Sequence, residues 1–254
     1  MHLMLVNDDG IHAPGIRALC EAALAAGHRV SICAPDRERS AVSHAVTLGG
    51  TPLRTEKIDY PGAEVAYAVT GTPADCARLG LYLIPGVDAV LSGVNNGSNM
   101  GGACIYSGTV AAATEASMSG TPALAVSICA YGLQNTGDYL PSGKIAVKVC
   151  EWMQDHPLPR GCIYNLNVPA LPYEEIKGVR AAALGTTYLD SPNYTEIIVD
   201  GEIVYEYKHG VDSVVNTDPN CDVLLTEAGY ASLSKVTWNL QMNAEDPDTS
   251  GIML

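Results

Sequence analysis

Apolar residues in the first part of the chain form short runs that alternate with stretches of helical periodicity. Leu3 to Val6 is a continuous apolar run, which is typical of a buried strand. Residues 14–26 follow with apolar positions at helical spacing, a proline near the start and Gly27 after the end. Val30 to Cys33 is a second strand candidate. This order predicts βαβ units, in which helices cover both faces of a parallel sheet.

The same alternation continues to about residue 130. A third strand is predicted over Asp88 to Leu91, and a fourth near Ala123 to Ile128. Between them, Ser107 to Ser119 is rich in alanine, which predicts a helix whose first turn carries hydroxyl groups. We therefore expect an α/β fold built on a mostly parallel sheet.

The pattern changes beyond about residue 177. Glu196 to Tyr207 alternates around Asp200-Gly201, a dipeptide that favours a tight hairpin turn. The neighbouring stretches, 212–219 and 231–239, are polar or mixed and predict no definite element. The distal part of the chain therefore predicts a β-hairpin appendage.

The chain contains no internal repeat, low-complexity tract or Gly/Ser linker that would divide it. We therefore expect a single domain over residues 1–254. Its core would span about residues 1–176, and a C-terminal β-hairpin extension would span about 177–254. The extension has too few apolar residues for a second core, so it must pack on something else.

Charge narrows the possible functions. The formal net charge is -14, from 28 acidic against 14 basic residues, while 47% of the chain is hydrophobic. Binding to a nucleic-acid polymer depends on Lys and Arg displacing counterions, so we expect no such partner. A bound divalent cation would let an acidic protein handle an anionic substrate. The composition therefore favours a metal enzyme.

The cysteines are not arranged as metal ligands. None belongs to a CxxC motif or pairs with histidine at zinc-finger spacing. Several lie inside apolar runs, which predicts reduced thiols in the core. The N-terminal segment lacks the basic region and cleavage site of a signal peptide, and no apolar stretch approaches the ~20 residues of a membrane span. We expect a cytoplasmic protein with no membrane partner.

Three polar clusters follow the first three predicted strands. They are Asn7 to Gly10, Asp36 to Ser40 and Ser92 to Gly97. Parallel strands place their carboxyl ends at one edge, where ligands bind in open α/β sheets. Two adjacent carboxylates, Asp8 and Asp9, repel each other, and a divalent cation would offset that repulsion.

Hydroxyl and amide oxygens from the other clusters would complete an all-oxygen shell of the kind that suits Mg, Mn or Ca. Capping and turn formation are the competing explanations for Asp8-Asp9, and capping is the competing explanation for a lone Ser40 or Asn95. Local sequence leaves both interpretations open.

A helix N-terminus is a second candidate for ligand binding. Ser107, Gly108 and Thr109 open the alanine-rich helix, where free amides and the helix dipole attract an anion such as phosphate. Ordinary capping by Ser107 or Thr109 is the alternative. The chain has neither a GxGxxG nor a GxxxxGK[ST] motif, so the sequence does not favour a dinucleotide or triphosphate site.

Five motifs in order and in register resemble the SurE stationary-phase survival proteins. They are NDDGIHAPGI (7–16), APDRERSAVSHAVTL (34–48), GTPADC (71–76), SGVNNGSNMG (92–101) and YSGTVAAA (106–113). Beyond residue 130 the likeness is limited to 165–169, 217–218 and 229–230. The acidic residue that the family often carries before the YSGTV segment is missing here, where residues 103–106 read ACIY.

The resemblance implies a metal-dependent 5'/3'-nucleotidase, a phosphomonoesterase that converts nucleoside monophosphates to nucleoside and phosphate. By position in the motifs, Asp8, Asp9, Ser40 and Asn95 would hold one divalent cation per subunit, with Mg or Mn expected. Together with the helix N-terminus described above, this leads us to expect that Asp8 and Asp9 are also the catalytic residues and that Ser107, Gly108 and Thr109 bind phosphate. The resemblance further implies a Rossmann-like three-layer core and a homodimer or homotetramer assembled by exchange of the C-terminal extension.

Two other functions compete with this one. A phosphatase for another small substrate, such as a sugar phosphate or a short polyphosphate, would share the fold and the site. A non-catalytic receiver-like module could also bind a cation, but it would be near half this length and would carry a third Asp where this chain has Ser92 to Asn95.

Four further charged or titratable residues lie within the matching motifs. His12 and His44 could protonate a leaving group, or they could be bystanders in polar loops. Arg37 and Arg39 could clamp phosphate, or they could pair with neighbouring acids on the surface. The sequence leaves all four roles open.

Overall fold

The computed structural model describes residues 1–186, 194–207 and 216–238, which form eleven strands, five α-helices and two short 3-10 helices. The strands are β1 (His2–Val6), β2 (Arg29–Pro35), β3 (Thr55–Ile58), β4 (Val65–Val69), β5 (Ala89–Asn96), β6 (Ala123–Cys129), β7 (Cys162–Pro169), β8 (Val179–Ala181), β9 (Tyr194–Val199), β10 (Glu202–Tyr207) and β11 (Ala231–Thr237). The α-helices are α1 (Pro14–Ala25), α2 (Pro73–Leu83), α3 (Gly108–Met118), α4 (Thr136–Met153) and α5 (Asp222–Glu227). The 3-10 helices span Gly101–Ile105 and Tyr173–Glu175.

Nine strands form one sheet in the order β3-β4-β2-β1-β5-β6-β7-β11-β8. The six strands from β4 to β7 in this order run parallel to one another. Strand β3 is antiparallel to β4, and β11 is antiparallel to β7. The predicted α/β fold with a mostly parallel sheet is confirmed. Because β1 lies between β2 and β5, the polar segments after these three strands meet at one edge of the sheet.

Helices pack on both faces of this sheet, as the sequence predicts. Alternate residues of β1 point to opposite sides, so Leu3 and Leu5 join the core under α1 and α4, while Met4 and Val6 join the core under α2 and α3. Helix α3 is buried along nearly its whole length, which its small alanine side chains allow. None of the helices in the described residues is long and apolar enough to cross a membrane.

The predicted elements of the first part of the chain are present with small shifts at their ends. The helix expected over 14–26 is α1, with Pro14 in its first turn. The alanine-rich helix is α3, which is capped by Ser107. Gly15 lets α1 approach the sheet, since a Cβ there would lie 2.0 Å from the carbonyl oxygen of Val94. The third predicted strand is longer than expected, because β5 continues to Asn96.

Several elements were not predicted. Helix α2 begins with a reciprocal capping box, in which the Thr72 side chain accepts from the Asp75 amide and the Asp75 side chain accepts from the Thr72 amide. Helix α4 contains Pro141, a residue that usually interrupts a helix when it lies beyond the first turn. Strands β3 and β4 at the sheet edge were also missed.

The distal part of the chain is divided between two structures. Strands β9 and β10 form the predicted antiparallel hairpin as a separate two-stranded sheet, and both turn residues, Asp200 and Gly201, have positive φ. By contrast, β8 and β11 belong to the nine-stranded sheet. The proposed extension over about 177–254 therefore contributes two strands to the main sheet. Residues 212–215 and 239, for which the sequence predicts no definite element, lie outside the described residues.

All eight cysteines are free thiols. Five are buried, namely Cys20, Cys33, Cys76, Cys150 and Cys221. Burial raises the pKa of the Cys33 thiol to about 12. Thiols in such surroundings are protonated and act as small apolar groups of the core.

Candidate active site

The segments that follow β1, β2 and β5 surround a cavity of about 610 Å³ at the carboxyl edge of the sheet. The four predicted metal ligands, Asp8, Asp9, Ser40 and Asn95, all line this cavity. The structure thus brings together residues that are far apart in sequence. For example, Asp9 is hydrogen-bonded to Asn96, which lies 87 positions away. This convergence follows from the strand order, because β1 has β2 and β5 as its two neighbours.

Asp8 is nearly inaccessible to solvent, and the start of α3 holds its carboxylate. The Thr109 hydroxyl donates a hydrogen bond of 2.6 Å to Asp8 Oδ1. Burial raises the pKa of the Asp8 carboxyl, while hydrogen bonds from the Thr109 side chain and backbone counteract that rise. The Asp8 carbonyl oxygen also accepts a bond of 2.7 Å from the Arg39 amide, which ties the segment after β2 to the segment after β1.

Asp9 lies on the cavity wall and links β1 to β5. Its Oδ2 accepts a hydrogen bond of 3.1 Å from the backbone amide of Asn96. Burial and, to a smaller extent, the neighbouring charge of Asp8 raise the pKa of Asp9 to about 7. Placing a half-buried carboxylate beside a buried one is costly, so the pair is a favourable place for a cation.

Ser40 contributes a hydroxyl to the cavity from the segment after β2. Its Oγ donates a hydrogen bond of 2.6 Å to Oε1 of Glu38. Donating this proton leaves the lone pairs of the Ser40 oxygen available to a ligand.

Glu38 is a third acidic residue on the cavity wall. The sequence indicated it only as a member of the polar cluster from Asp36 to Ser40 and as a neighbouring acid with which an arginine could pair. Its charge raises the pKa of both Asp8 and Asp9. The position of Glu38 two residues before Ser40, within the same polar cluster, was the available signal.

Asn95 has its amide group oriented by the neighbouring backbone. Its Nδ2 donates a hydrogen bond of 2.7 Å to the Gly97 carbonyl oxygen, so Oδ1 is the atom that remains for a ligand. The next side chain, Asn96, has a buried Oδ1 that lacks a hydrogen-bond partner within the part of the chain that the structure describes. Amide oxygens are thus available at the end of β5.

The three predicted phosphate-binding residues occupy different positions. Ser107 lines the cavity and caps α3 by accepting a 3.1 Å bond from the Val110 amide. Gly108 packs directly on Asp8, since a Cβ at this position would lie 2.9 Å from the Asp8 Cβ. Thr109 is fully buried and directs its hydroxyl at Asp8. Only Ser107 of the three therefore lines the cavity.

Buried asparagines support the floor of the cavity. Asn99, which lines the cavity, has a carbonyl oxygen that accepts bonds from Asn165 (2.8 Å) and Asn167 (3.0 Å). The Asn99 side chain donates to the Ser127 hydroxyl at 2.8 Å. These bonds attach the segment after β5 to strands β6 and β7, and they give the sequence pattern at residues 165–167 a structural role.

The histidines and arginines of the matching motifs do not line the cavity. His44 lies 2.9 Å from Oε1 of Glu115 on α3, and His12 is exposed. Arg39 donates to Asp36 at 3.2 Å and to the Thr70 carbonyl oxygen at 3.0 Å, so the structure favours its pairing with a neighbouring acid. Arg37 is exposed.

The donor set fits a hard divalent cation. The described residues contain no group of three or more His, Cys, Asp or Glu side chains that could hold a metal. Two carboxylates, a hydroxyl and an amide oxygen instead provide oxygen donors only, as Mg or Mn prefers. Neither Asp8 nor Asp9 forms an ion pair with a basic side chain in residues 1–186, 194–207 and 216–238. A bound cation would supply the positive charge that these side chains lack.

Comparison with known proteins gives consistent matches over most of the chain. A family model described as "Survival protein SurE" matches residues 3–191. The "5'-nucleotidase SurE" of Aeromonas hydrophila is 39% identical over 241 residues, which cover 93% of this chain and 92% of that protein. The protein of the same name from Pelobacter propionicus is 46% identical over 179 residues, 70% of this chain and 69% of that one.

A solved structure has the same fold. The crystal structure of a SurE protein from Aquifex aeolicus superposes with a TM-score of 0.76 at 32% sequence identity. The superposition covers 94% of each chain. The likeness therefore extends beyond the β1 to β6 region that carries the five sequence motifs.

Proposed function

Since this chain belongs to the SurE family, we propose that its carboxylate-lined cavity hydrolyses nucleoside monophosphates with the help of one Mg or Mn ion per subunit. The chain is a nucleotidase, a phosphomonoesterase that acts on nucleotides. Nucleotidases of this family are metal-dependent. The identity and number of the ions, the residues that hold them and the activity towards both 5'- and 3'-nucleotides are our proposals.

The observation that carries the proposal is the adjacent pair of carboxylates formed by the buried Asp8 and the half-buried Asp9. Asp8 and Asp9 would hold the cation together with Ser40 and Asn95, which line the same cavity. When bound, the cation would neutralise charge on the phosphate and activate water for attack on phosphorus. Its charge would also offset the burial, and the smaller repulsion from neighbouring carboxylates, that raise the pKa of both aspartates in the free protein.

Other groups of the chain would bind and orient the phosphate. We assign its oxygens to the first turn of α3, at Ser107, Gly108 and Thr109, where the helix dipole favours an anion. Thr109 would also keep the Asp8 carboxylate in place. An aspartate of the pair would serve either as general base for water or as nucleophile, and trapping of a phosphorylated aspartate would distinguish the two.

The hairpin β9-β10 supports assembly into a homodimer or homotetramer. Its strands carry several exposed apolar side chains, including Ile198, Ile203 and Tyr205. Exposed apolar surface of this kind marks an interaction site. We also propose a cytoplasmic location, because eight free thiols suit a reducing compartment.

A substrate panel tests the function. Purified protein would be assayed for phosphate release from nucleoside 5'- and 3'-monophosphates, ribose 5-phosphate and short polyphosphate. Each assay would be repeated after chelation and again after addition of Mg, Mn or Ca. We expect nucleotide hydrolysis that chelation abolishes and Mg or Mn restores. Activity that survives complete chelation would contradict the metal proposal, and faster turnover of ribose 5-phosphate or polyphosphate than of every nucleotide would contradict the substrate.

A further inference from the structure

An exposed aromatic side chain lies at the wall of the cavity, on the segment that follows β6. Tyr131 is 78% exposed, although its ring is in contact with the backbone of Gly97. A Cβ at Gly97 would lie 2.4 Å from Tyr131 Cε1, so the ring occupies the space that a side chain at residue 97 would fill. Gly97 has a φ of +132°, which also favours glycine.

The segment that carries Tyr131 is anchored to the core. Tyr139 of α4 is buried, and its hydroxyl donates a hydrogen bond of 3.1 Å to the carbonyl oxygen of Leu133. The Tyr131 ring thus packs against Gly97 on one side, and the backbone two residues further along the chain is anchored by Tyr139. An aromatic ring held in this way can receive a flat ligand with little loss of conformational entropy.

Tyr131 belongs to the same cavity as the carboxylates. Asp8, Asp9, Asn95 and Tyr131 all line it. Gly97, which the ring covers, also accepts the Asn95 side-chain bond at 2.7 Å. A phosphate bound near the aspartates therefore leaves the rest of a nucleotide to extend through a cavity whose wall includes an exposed aromatic face.

We propose that Tyr131 is the stacking platform for the nucleobase of the substrate, and that it makes this enzyme prefer purine over pyrimidine nucleotides. The inference rests on the proposed nucleotidase function and adds a residue that determines specificity. Nucleobases stack on aromatic side chains through their π faces. A purine has the larger ring system and so covers more of the tyrosine than a pyrimidine does.

The test compares Tyr131→Ala and Tyr131→Phe with the unaltered enzyme on 5'-AMP, 5'-CMP and ribose 5-phosphate. Tyr82→Ala is the matched control, because Tyr82 is 85% exposed on α2 and does not line the cavity. Loss of a stacked base weakens binding by about 5- to 100-fold. We expect Tyr131→Ala to raise the KM for 5'-AMP by that factor with little change in kcat, and to raise the KM for 5'-CMP less.

Ribose 5-phosphate, which has no base, should be hydrolysed equally well by all variants, and Tyr131→Phe should behave like the unaltered enzyme. Equal losses on 5'-AMP and ribose 5-phosphate would overturn the proposal, since Tyr131 would then act by positioning Asn95 through Gly97. Unchanged kinetics in Tyr131→Ala would overturn it as well.

Calorimetry separates failure of this inference from failure of the proposed function. Affinity for 5'-AMP relative to ribose 5-phosphate can be measured whether or not the unaltered enzyme turns either over. If the unaltered protein hydrolyses no nucleotide, the proposed function fails, and a lower 5'-AMP affinity in Tyr131→Ala would still support the platform. If it hydrolyses nucleotides and the variant keeps the same affinity ratio, only the platform fails.

Discussion

The hydroxyl of Thr109 donates a hydrogen bond of 2.6 Å to Oδ1 of Asp8, and both residues are buried. A hydrogen bond to a charged group contributes about 1.5–3 kcal/mol. Replacing Thr109 by the isosteric valine removes this bond without changing the side-chain volume greatly. We expect Thr109→Val to reduce kcat/KM by about 10- to 100-fold. Steady-state phosphate release from 5'-AMP measures the loss.

Thr114 provides a matched control on the same helix. It is buried, and its hydroxyl donates to the Val110 carbonyl oxygen at 2.8 Å rather than to the cavity. Thr114→Val should leave kcat/KM nearly unchanged. Equal activity in the two valine variants would show that Thr109 does not position Asp8.

Asparagine substitutions test the carboxylate pair itself. Asp8→Asn and Asp9→Asn each remove a charge with little change of shape, so both should lower kcat by about 100-fold or more. The fold should persist, because each change also removes a buried charge. Phosphate release and thermal melting followed by circular dichroism measure the two effects. Asp155→Asn, at an exposed position after α4, is the control. Near-normal turnover in either site variant would refute our assignment of that aspartate.

The central fold was predictable because apolar runs and helical periodicity agree over β1, α1, β2 and α3. Strand order could not be read from these patterns, since it depends on pairing between β1 and β5, which lie over 80 residues apart. Helix α4 was missed because Pro141 argues locally against a helix, while burial of its apolar face on α1 stabilises one. Strand β11 was missed because its polar residues Ser232 and Ser234 are buried in the sheet.

Part of the site was also predictable from the sequence. The sequence motifs and the resemblance named Asp8, Asp9, Ser40 and Asn95, all of which meet at one cavity. The sequence could not show that Thr109 faces Asp8, because that contact depends on the start of α3 packing against the end of β1. Tyr131 was missed because an isolated tyrosine after a strand gives no local signal.

Alanine substitutions test the two neutral ligands. Ser40→Ala and Asn95→Ala should each weaken Mn binding by roughly tenfold while leaving the protein folded, since neutral oxygen ligands contribute less than carboxylates. Isothermal titration calorimetry measures the affinity. Ser43→Ala serves as the control for Ser40, because the Ser43 hydroxyl donates to the Ile105 carbonyl oxygen at 2.7 Å and lies outside the cavity. Unchanged Mn affinity in Ser40→Ala and Asn95→Ala would remove both residues from the metal shell.

The raised pKa of Asp9 predicts how the stability of the metal-free protein depends on pH. The folded-state pKa is about 7, against an ordinary value of 3.8, so folded protein retains a proton that unfolded protein releases. The contribution of Asp9 to the free energy of unfolding should therefore be highest below pH 3.8, fall between pH 3.8 and 7, and level off above pH 7.

Urea denaturation of chelated protein at several pH values measures this dependence. The free energy of unfolding of the unaltered protein should fall as the pH rises from 5 to 7. Asp9→Asn should make this slope smaller, and the raised pKa of Asp8 should account for the slope that remains. Excess Mn should reverse the trend, because protons compete with the cation for the same carboxylates. Stability that rises with pH in the chelated protein, or the same slope in Asp9→Asn, would contradict the pKa assignment.

Assembly into an oligomer would bury an exposed apolar face of the β9-β10 hairpin. Ile198 and Ile203 lie directly opposite each other on β9 and β10 and are 75% and 60% exposed. The two side chains share one face of the hairpin. Water contact at such a face is unfavourable, so a second subunit would be expected to cover it.

We expect sedimentation at low micromolar protein to show a homodimer or homotetramer, and unfolding midpoints to rise with protein concentration. Burying an isoleucine contributes about 1.5–3 kcal/mol, so the double variant Ile198→Asp and Ile203→Asp should raise the dissociation constant by about 100-fold or more. The matched control, Tyr82→Asp, adds charge at an exposed aromatic of α2 and should not change the assembly. A single monomeric species of the unaltered chain, folded and active at this concentration, would contradict the proposal. Because the site residues all belong to one chain, that result would leave the phosphatase assignment intact.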